Sequence, residues 1–204
     1  MIAVVTGGSG GIGGEVVRLL RDGGWEVISL SRREGCDVSD ESQVTAAFGK
    51  LDSLDALVHC AAVLIKRNVA DMTTDEWDAQ IDSDLRGAFL CSREAFRLMR
   101  GRGGTIVMVS SLSGVFGAEK FPGMAAYVAA KSGLAGLTEA LAVEGRAGGI
   151  RVNAISPGAV DTPMLRIAGV EGPALKPADV AHVIVWLASP DSAPLSGANL
   201  RMDP

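Results

Sequence analysis

Short apolar runs alternate with segments of helical spacing along the 204-residue chain, and this alternation limits the fold more than any other feature. The runs that read as strands are MIAVVTG, WEVISLS, LDALVHCAA, GGTIVMVSS, IRVNAISPG and GANLRM. The segments between them begin at Ser, Thr, Asp or Pro and often stop at glycine, as helices do. Nearly continuous apolar strands need cover on both faces. We therefore expect one doubly wound α/β domain, residues 1–204, with a parallel sheet of about seven strands.

Composition argues against several classes of protein. The net charge is −5 and the basic residues are scattered, which argues against nucleic-acid binding. No apolar segment approaches the roughly 18 residues of a membrane span, and no basic leader precedes the first apolar run. The cysteines (Cys36, Cys60, Cys91) are far apart, and only His59 and His182 could join them around a metal. We expect no metal, no membrane insertion and a reducing, cytoplasmic location.

A glycine-rich loop, VVTGGSGGIGG (4–14), joins the first strand to the first helix. Such a loop can hold a pyrophosphate with its N–H groups and the helix N-terminus. It fits G-x-G-x-x-G, T-G-x-x-x-G-x-G and the G-x-S-x-G of a hydrolase elbow, so glycine content alone does not choose among them. An elbow at Ser9 fails because no earlier strand could supply the second oxyanion donor. His182, in a helical segment, is an ordinary helix residue rather than a general base.

The only tyrosine, Tyr127, precedes Lys131 by four residues. Residues four apart share one helix face, and a neighbouring ammonium stabilises the phenolate form of a tyrosine. The pair therefore suits a general acid with a cation beside it. The alternative is an amphipathic tyrosine that packs its ring while the lysine reaches solvent.

Four motifs follow one another along the chain: the glycine loop, the serines that end TIVMVSS, the Tyr-x-x-x-Lys pair and the turn of NAISPG. In this order they resemble the short-chain dehydrogenase/reductase family, in its compact single-domain branch. The resemblance covers essentially the whole chain. The two-domain branch shares T-G-x-x-G-x-x-G, but its substrate domain would not fit in 204 residues. The resemblance implies a Rossmann-type fold, a nicotinamide cofactor and interconversion of a small-molecule carbonyl and its alcohol. A non-catalytic dinucleotide-binding regulator of the same fold is the alternative.

The resemblance also implies catalytic roles. Tyr127 would exchange a proton with the substrate oxygen, and Lys131 would act on both the phenol and the nicotinamide ribose. Ser111 would steady the carbonyl, with Ser113 as second candidate. Asp84, in DLRG, stands where the family has the asparagine of N-x-x-G. An acid there can organise water near Lys131 but also offsets its charge.

The cofactor contacts implied by the resemblance fall at the ends of the strands. They are Gly7, Ser9, Gly11, Ile12 and Gly13 in the loop, Ser31, Arg32, Arg33, Asp37 and Val38 for the adenosine, Cys60, Ala61 and Ala62 where the family has N-N-A-G, and Tyr127, Lys131, Pro157, Gly158, Val160 and Thr162 around the nicotinamide and phosphates. Hydroxyl and cationic donors after the second strand suit a 2′-phosphate, whereas a carboxylate suits a 2′-hydroxyl. NADP(H) is therefore favoured, with NAD(H) as the alternative.

Departures from the family pattern predict local differences. The segment from Arg33 to Asp40 is too short for the usual helix between strands two and three, so the sheet should be thinly covered there. About 14 residues separate Thr162 from Pro177, which predicts a short substrate lid and an open pocket. Relatives often dimerise or tetramerise through the helices carrying Tyr127 and DLRGAFLCSREAFRLM. We therefore expect a homodimer or homotetramer.

Overall fold

The computed structural model describes residues 1–204 and contains one parallel six-stranded sheet. The strands are β1 (Ile2–Thr6), β2 (Glu26–Leu30), β3 (Ala56–His59), β4 (Gly104–Val109), β5 (Ile150–Pro157) and β6 (Asn199–Met202). Their order in the sheet is β2-β1-β3-β4-β5-β6. The chain therefore runs outward from β1 in both directions, as a doubly wound sheet does.

The chain forms seven helices, five of which cover the two faces of the sheet. The seven are α1 (Gly11–Asp22), α2 (Glu41–Phe48), α3 (Thr74–Ile81), α4 (Gly87–Met99), α5 (Ala125–Gly145), α6 (Pro163–Ala168) and α7 (Pro177–Ala188). Buried residues of α1 and α7 form one core with the sheet, and those of α2, α4 and α5 form the other. None of these helices is both long and apolar enough to cross a membrane.

The sheet has six strands rather than about seven. The six apolar runs of the sequence each form one strand, and no further strand forms between β2 and α2. Arg32–Glu34 form a single 3₁₀ turn, and Cys36 and Val38 then pack into the core as part of a loop. Because nothing pairs with its outer side, β2 is an edge strand. Its residues 27–29 are only half-buried, as the thin cover predicted from the sequence implies.

The helix boundaries follow the sequence signals closely. Asp40 caps α2 by accepting from the main-chain N–H groups of Ser42 and Gln43. Thr73 and Glu76 form a reciprocal capping box at the start of α3. Between α3 and α4 the helix widens to one π turn, Asp82–Arg86, which the sequence did not indicate. Such turns are rare and often lie at functional sites.

Candidate active site

The carboxyl ends of β1 and β3 form the point where the strand order reverses, and ligands of open α/β sheets bind at such a point. The glycine loop leaves β1 here. Gly7 has a φ of +67°, and a Cβ on it would lie 2.8 Å from the main-chain nitrogen of Ala61. A Cβ on Gly13 would overlap the carbonyl oxygen of Gly7. Larger residues at either position would therefore force the loop apart.

The first turn of α1 carries free donors. Gly10 provides no side-chain cap, no acidic residue lies in the first turn, and no protein acceptor binds the N–H groups of Gly11, Ile12 and Gly13. A Cβ on Gly11 would lie 2.6 Å from Cγ2 of Thr162, so two regions assigned to the cofactor from sequence do meet. This helix end presents a positive dipole and open N–H groups to an anion.

The turn after β2 holds an acidic residue that sequence reasoning missed. The carboxylate of Glu34 accepts from the hydroxyls of Ser31 at 2.6 Å and Ser29 at 2.9 Å. Ser29 also borders the glycine loop, because a Cβ on Gly8 would overlap its hydroxyl oxygen. A Glu three residues after Ser31 is the one sequence signal that could have indicated this contact. Arg32 and Arg33 are exposed and form no ion pair.

At two other positions assigned to the cofactor, the side chain already contacts other residues of the protein. Asp37 accepts from both the main-chain nitrogen and the hydroxyl of Ser39. Val38 is buried against α4, where a Cβ on Gly87 would lie 2.8 Å from its Cγ2. A contact of Asp37 and Val38 with the adenine therefore stays a prediction, and the main chain is the part of this segment available for it.

At the end of β3, residues 59–62 stand in place of the N-N-A-G of the family pattern, and the Thr6 side chain binds two of them. Its hydroxyl oxygen accepts from the main-chain nitrogen of Ala61 at 3.2 Å and lies 3.0 Å from Nδ1 of His59. Cys60, Ala61 and Ala62 are half-buried beside the glycine loop. The main chain here faces the loop, whereas the His59 ring is completely buried.

Helix α5 brings Tyr127 and Lys131 together inside the protein. Lys131 is 2% exposed, and its Nζ donates to the carbonyl oxygen of Val109 at 3.0 Å. The same Nζ lies 5.7 Å from the centroid of the Tyr127 ring. Tyr127 is 8% exposed and packs against Leu64 and Met124. The alternative in which the lysine reaches solvent is therefore wrong, because Lys131 is buried and its ammonium binds a main-chain carbonyl inside the protein.

The serines after β4 lie against the same part of α5. Ser110 is buried and donates to the carbonyl oxygen of Lys131 at 2.9 Å. A Cβ on Gly114 would lie 2.6 Å from the carbonyl carbon of Lys131, which fixes the turn Leu112–Gly114 on the helix. Ser111 is half-buried, and its hydroxyl oxygen accepts from the main-chain nitrogen of Ser113 at 3.1 Å. Its own proton remains available for a ligand.

The π turn places Asp84 beside Lys131. Asp84 is fully buried, its Oδ1 accepts from the main-chain nitrogen of Val63 at 2.8 Å, and its Oδ2 lies 3.6 Å from Lys131 Nζ. Burial raises the pKa of the carboxyl group, and the Lys131 charge opposes that rise. The acid thus occupies the position beside Lys131 that the resemblance implied for an asparagine.

The predicted lid forms a helix that the sequence analysis did not identify. Helix α6 begins at Pro163, and Val160 pairs with Leu175 beyond it. Met164 and Ala168 of α6 pack in one apolar cluster with Tyr127. The lid is short, as expected, but the pocket is not open at the tyrosine, because α6 covers Tyr127.

The turn after β5 lies next to the last residues of the chain. Gly158 donates its N–H to the carbonyl oxygen of Met202, and a Cβ on it would lie 3.0 Å from Cδ of Pro204 and 3.1 Å from Cδ1 of Leu112. Pro157 and Val160, on either side, are buried. The C-terminal residues of the same chain therefore contact the turn that was assigned to the nicotinamide.

Comparison with known proteins gives consistent matches. The model of a family described as "Enoyl-(Acyl carrier protein) reductase" matches residues 29–204. Trans-4-hydroxycyclohexanecarboxylate dehydrogenase of Sinomonas cyclohexanicum is 37% identical over 179 residues, or 82% of this chain and 67% of that protein. The 3-oxoacyl-(acyl-carrier-protein) reductase FabG of Rickettsia conorii is 32% identical over 230 residues, covering 98% of this chain and 94% of that protein. A solved structure titled "short chain dehydrogenase/reductase family protein" superposes with a TM-score of 0.90 at 28% identity, covering 100% of this chain and 95% of that chain.

Proposed function

The chain belongs to the short-chain dehydrogenase/reductase family, and we propose that it interconverts a carbonyl group and an alcohol with NADP(H), using Tyr127 as the general acid or base. The observation that carries this proposal is the buried pair on α5, in which Lys131 Nζ lies 5.7 Å from the Tyr127 ring centroid. A buried ammonium beside a phenol suits proton exchange with a substrate oxygen. The matched relatives are dehydrogenases and reductases, which supports an oxidoreductase rather than a non-catalytic regulator.

The residues around the glycine loop fit a dinucleotide. The first turn of α1 offers uncapped N–H groups, and the glycines leave room for close approach by a pyrophosphate. The residues that would hold the dinucleotide are Gly7, Ser9, Gly11, Ile12, Gly13, Cys60, Ala61, Ala62, Pro157, Gly158, Val160 and Thr162. When bound, the nicotinamide supplies or accepts the hydride.

Each catalytic side chain would act at a defined atom. In the reducing direction, the Ser111 hydroxyl donates a hydrogen bond to the carbonyl oxygen of the substrate. The carbonyl carbon would gain the hydride, and the carbonyl oxygen would take the proton from the Tyr127 hydroxyl. Lys131 then stabilises the resulting phenolate with its positive charge, while Asp84 holds the ammonium in place.

The preference for NADP(H) rests on the turn after β2. Arg32 and Arg33 are exposed and unpaired, so both are available for a 2′-phosphate together with the Ser31 hydroxyl. Glu34 opposes this preference, because its carboxylate already accepts from Ser31. A phosphate that binds Ser31 must therefore displace Glu34. We propose that NADP(H) binds more tightly than NAD(H), but by a margin that Glu34 reduces.

The surroundings of Tyr127 favour a substrate with an apolar body. Leu64, Met124 and Ala168 are buried around the ring, and Phe121, Val128, Met164 and Val170 pack around them. Apolar side chains of this kind bind hydrocarbon and exclude water from the reacting group. We propose a small, largely apolar ketone or alcohol as the substrate class.

The face formed by α4 and α5 suits a second copy of the chain. Phe89 is 45% exposed, and Phe96 and Leu141 are half-buried beside it. We propose a homo-oligomer that buries these side chains. Analytical ultracentrifugation tests it: the Phe89→Asp variant should dissociate into monomers, whereas the unaltered protein should not.

All three cysteines are free thiols, which suits the proposed cytoplasmic location.

A panel of ketones, aldehydes and quinones tests the activity. Purified protein is mixed with NADPH and each compound, and the loss of NADPH absorbance is followed. We expect turnover with at least one apolar ketone and none without a carbonyl compound. Nucleotide binding in calorimetry with no turnover across the panel, in either direction, would favour the non-catalytic alternative.

A further inference from the structure

A polar pocket of about 500 Å³ has no part in the nucleotide contacts or in the proton transfer described above. Two segments form it, the loop after β3 and the residues just before α5. The residues that line it are Lys66, Arg67, Asn68, Asp71, Pro122 and Gly123. Most of these side chains carry a charge or an amide. Polar groups that converge beside a reacting side chain can fix the orientation of a substrate.

The pocket borders the apolar cluster around Tyr127 from both of its segments. Leu64 comes two residues before Lys66, and Met124 directly follows Gly123. Leu64 and Met124 are both buried in the cluster with Tyr127. The two segments also meet, because a Cβ on Gly123 would lie 3.2 Å from Cγ of Lys66. A ligand that extends outward from the cluster would therefore reach the polar pocket next.

The ammonium of Lys66 lies at the edge of this cluster. Its Nζ donates to the carbonyl oxygen of Ala168, the last residue of α6, at 2.6 Å. Ala168 is itself buried in the cluster with Tyr127. An ammonium has three donors, so two N–H groups of Lys66 remain free for a ligand. A cation with free donors at the edge of an apolar site suits an anionic group on the ligand.

Lys66 is the one cation of the pocket without a carboxylate partner. Arg67 binds Glu76 at 2.9 Å, and its hydrogen bond to Glu76, with a smaller contribution from the charge of Asp71, raises the pKa of the guanidinium. Lys66 forms no ion pair, and its one hydrogen bond is to a neutral carbonyl group. The positive charge that remains available in this pocket is therefore that of Lys66.

The other polar groups favour a carboxylate over a phosphate. The Asn68 side chain lines the pocket and forms no hydrogen bond within the protein, so its amide can donate to a second oxygen. The carboxylate of Asp71 lines the same pocket and repels a dianion about twice as strongly as a monoanion. Guanidinium groups bind phosphate best, and the guanidinium of Arg67 is already bound to Glu76.

We propose that the substrate is a keto acid, or the corresponding hydroxy acid, whose carboxylate binds the Lys66 ammonium while its apolar body lies against Tyr127. Lys66 is then a specificity-determining residue that selects acids over neutral compounds. The choice of a keto acid rests on the proposed function, because it puts the reacting carbonyl at the Tyr127 hydroxyl. The carboxylate site itself requires only a ligand with an apolar body and an acid group.

Kinetics with matched acids and esters tests the proposal on the unaltered protein. The probes are the linear keto acids from 4-oxopentanoate to 7-oxooctanoate, each paired with its methyl ester. The members of a pair share the same ketone and differ by one charge. At the chain length that spans Lys66 and the Tyr127 hydroxyl, kcat/KM for the acid should exceed that for the ester at least about tenfold. Equal values at every length would overturn the proposal.

Three variants assign the preference to one side chain. Lys66→Met should bring the ratio of acid to ester close to one, whereas Lys66→Arg, which keeps the charge, should retain it within about threefold. Lys50→Met removes an exposed lysine elsewhere and should leave the ratio unchanged. Loss of the bond to Ala168 affects both members of a pair, so it cancels in the ratio. A preference for acids that survives in Lys66→Met would contradict the role of Lys66.

A binding measurement tests the site without turnover. Ligand-observed NMR titration gives the affinities of hexanoate, hexanamide and hexyl phosphate, which share the same carbon chain. Hexanoate should bind at least about tenfold more tightly than hexanamide, and Lys66→Met should remove this difference. Hexyl phosphate that binds more tightly than hexanoate would assign the pocket to a phosphate and overturn the choice of a carboxylate.

The outcomes separate this proposal from the proposed function. Hexanoate binding that depends on Lys66, in protein that reduces no carbonyl compound, supports the carboxylate site and contradicts the oxidoreductase assignment. Reduction of ketones and esters without a preference for acids, with hexanoate bound no more tightly than hexanamide, supports the assignment and contradicts the carboxylate site. The measurements on the unaltered protein decide the site even where a variant fails to fold.

Discussion

The ammonium of Lys66 donates a 2.6 Å hydrogen bond to the carbonyl oxygen of Ala168, so the loop after β3 holds the last turn of α6. This helix ends immediately afterwards, at Gly169 in the left-handed conformation. Because Ala168 packs in the same cluster as Tyr127, the cover over the proposed acid depends on a side chain from another part of the chain.

Lys66→Met should loosen this cover without touching the nucleotide site. Losing one charge-assisted hydrogen bond should raise KM for the carbonyl substrate at least about threefold, with a smaller change in kcat and no change in NADPH affinity. Steady-state kinetics and calorimetry measure these quantities. Lys50→Met, at an exposed lysine without an ion pair, is the control. Identical KM values in the two variants would show that the tether does not act on the substrate.

Tyr127→Phe should abolish proton transfer but keep the ring in its apolar cluster with Leu64 and Met124. We expect kcat to fall about 10²-fold or more, with NADPH affinity and thermal unfolding nearly unchanged. Single-turnover kinetics with saturating NADPH measures the loss. A variant that keeps kcat within a few-fold of the unaltered protein would remove Tyr127 from the mechanism.

Arg32→Asp should reduce the preference for NADP(H). Charge-assisted hydrogen bonds to a phosphate are worth about 1.5–3 kcal/mol, so NADPH affinity should fall at least about tenfold while NADH affinity is kept or improved. Calorimetric titration with each nucleotide gives both constants. If the unaltered protein binds NADH as tightly as NADPH, the assigned preference is wrong.

Glu34→Gln should have the opposite effect. The amide removes a negative charge that holds the Ser29 and Ser31 hydroxyls, so Ser31 becomes available to a 2′-phosphate and repulsion is lost. NADPH affinity should rise about three- to tenfold, and NADH affinity should change less than twofold, or about 0.4 kcal/mol. Glu15→Gln, on the exposed part of α1, is a control for general charge. An equal gain in that variant would assign the effect to net charge rather than to the Ser31 contact.

The buried His59 ring predicts a pH dependence of stability. Its pKa is about 3 in the folded protein, below the ordinary 6.5, because burial disfavours the charged ring. The unfolded chain therefore binds more protons between these values, and the stability contribution present above pH 6.5 is lost as the pH falls towards 3. In His59→Gln this loss is absent.

The difference in unfolding free energy between the unaltered protein and His59→Gln should therefore shrink by about 2 kcal/mol from pH 7 to pH 5. Urea unfolding at several pH values measures it. Groups that both proteins share, including Lys131, whose charge also acts on His59, largely cancel in the comparison. A difference that stays constant with pH would show that the ring is already protonated when folded, or that it is solvated.

Local periodicity predicted the elements that depend on nearby residues. All six strands, the glycine loop between β1 and α1, and the capped helical segments between strands followed from hydrophobic spacing and end signals. The shared face of Tyr127 and Lys131 followed from helix geometry alone. These features depend on interactions within a few residues of sequence, which the sequence displays directly.

The features that were missed depend on contacts between distant residues. Helix α6 has six residues, too few for a hydrophobic period, and is held by Lys66 from far along the chain. The π turn that places Asp84 is a change of one residue in helical winding, which leaves no pattern in composition. The contact of Glu34 with two serines requires the turn after β2 to be known in three dimensions.

The edge position of β2 links nucleotide recognition to local unfolding. A strand paired on one side only opens at a lower free energy than the central strands, so its amide hydrogens should exchange with solvent first. The turn that carries Ser31 and Arg32 continues from this strand. A ligand bound at the turn would stabilise strand and turn as one unit, and it would slow hydrogen exchange along an edge of the sheet that the ligand does not cover.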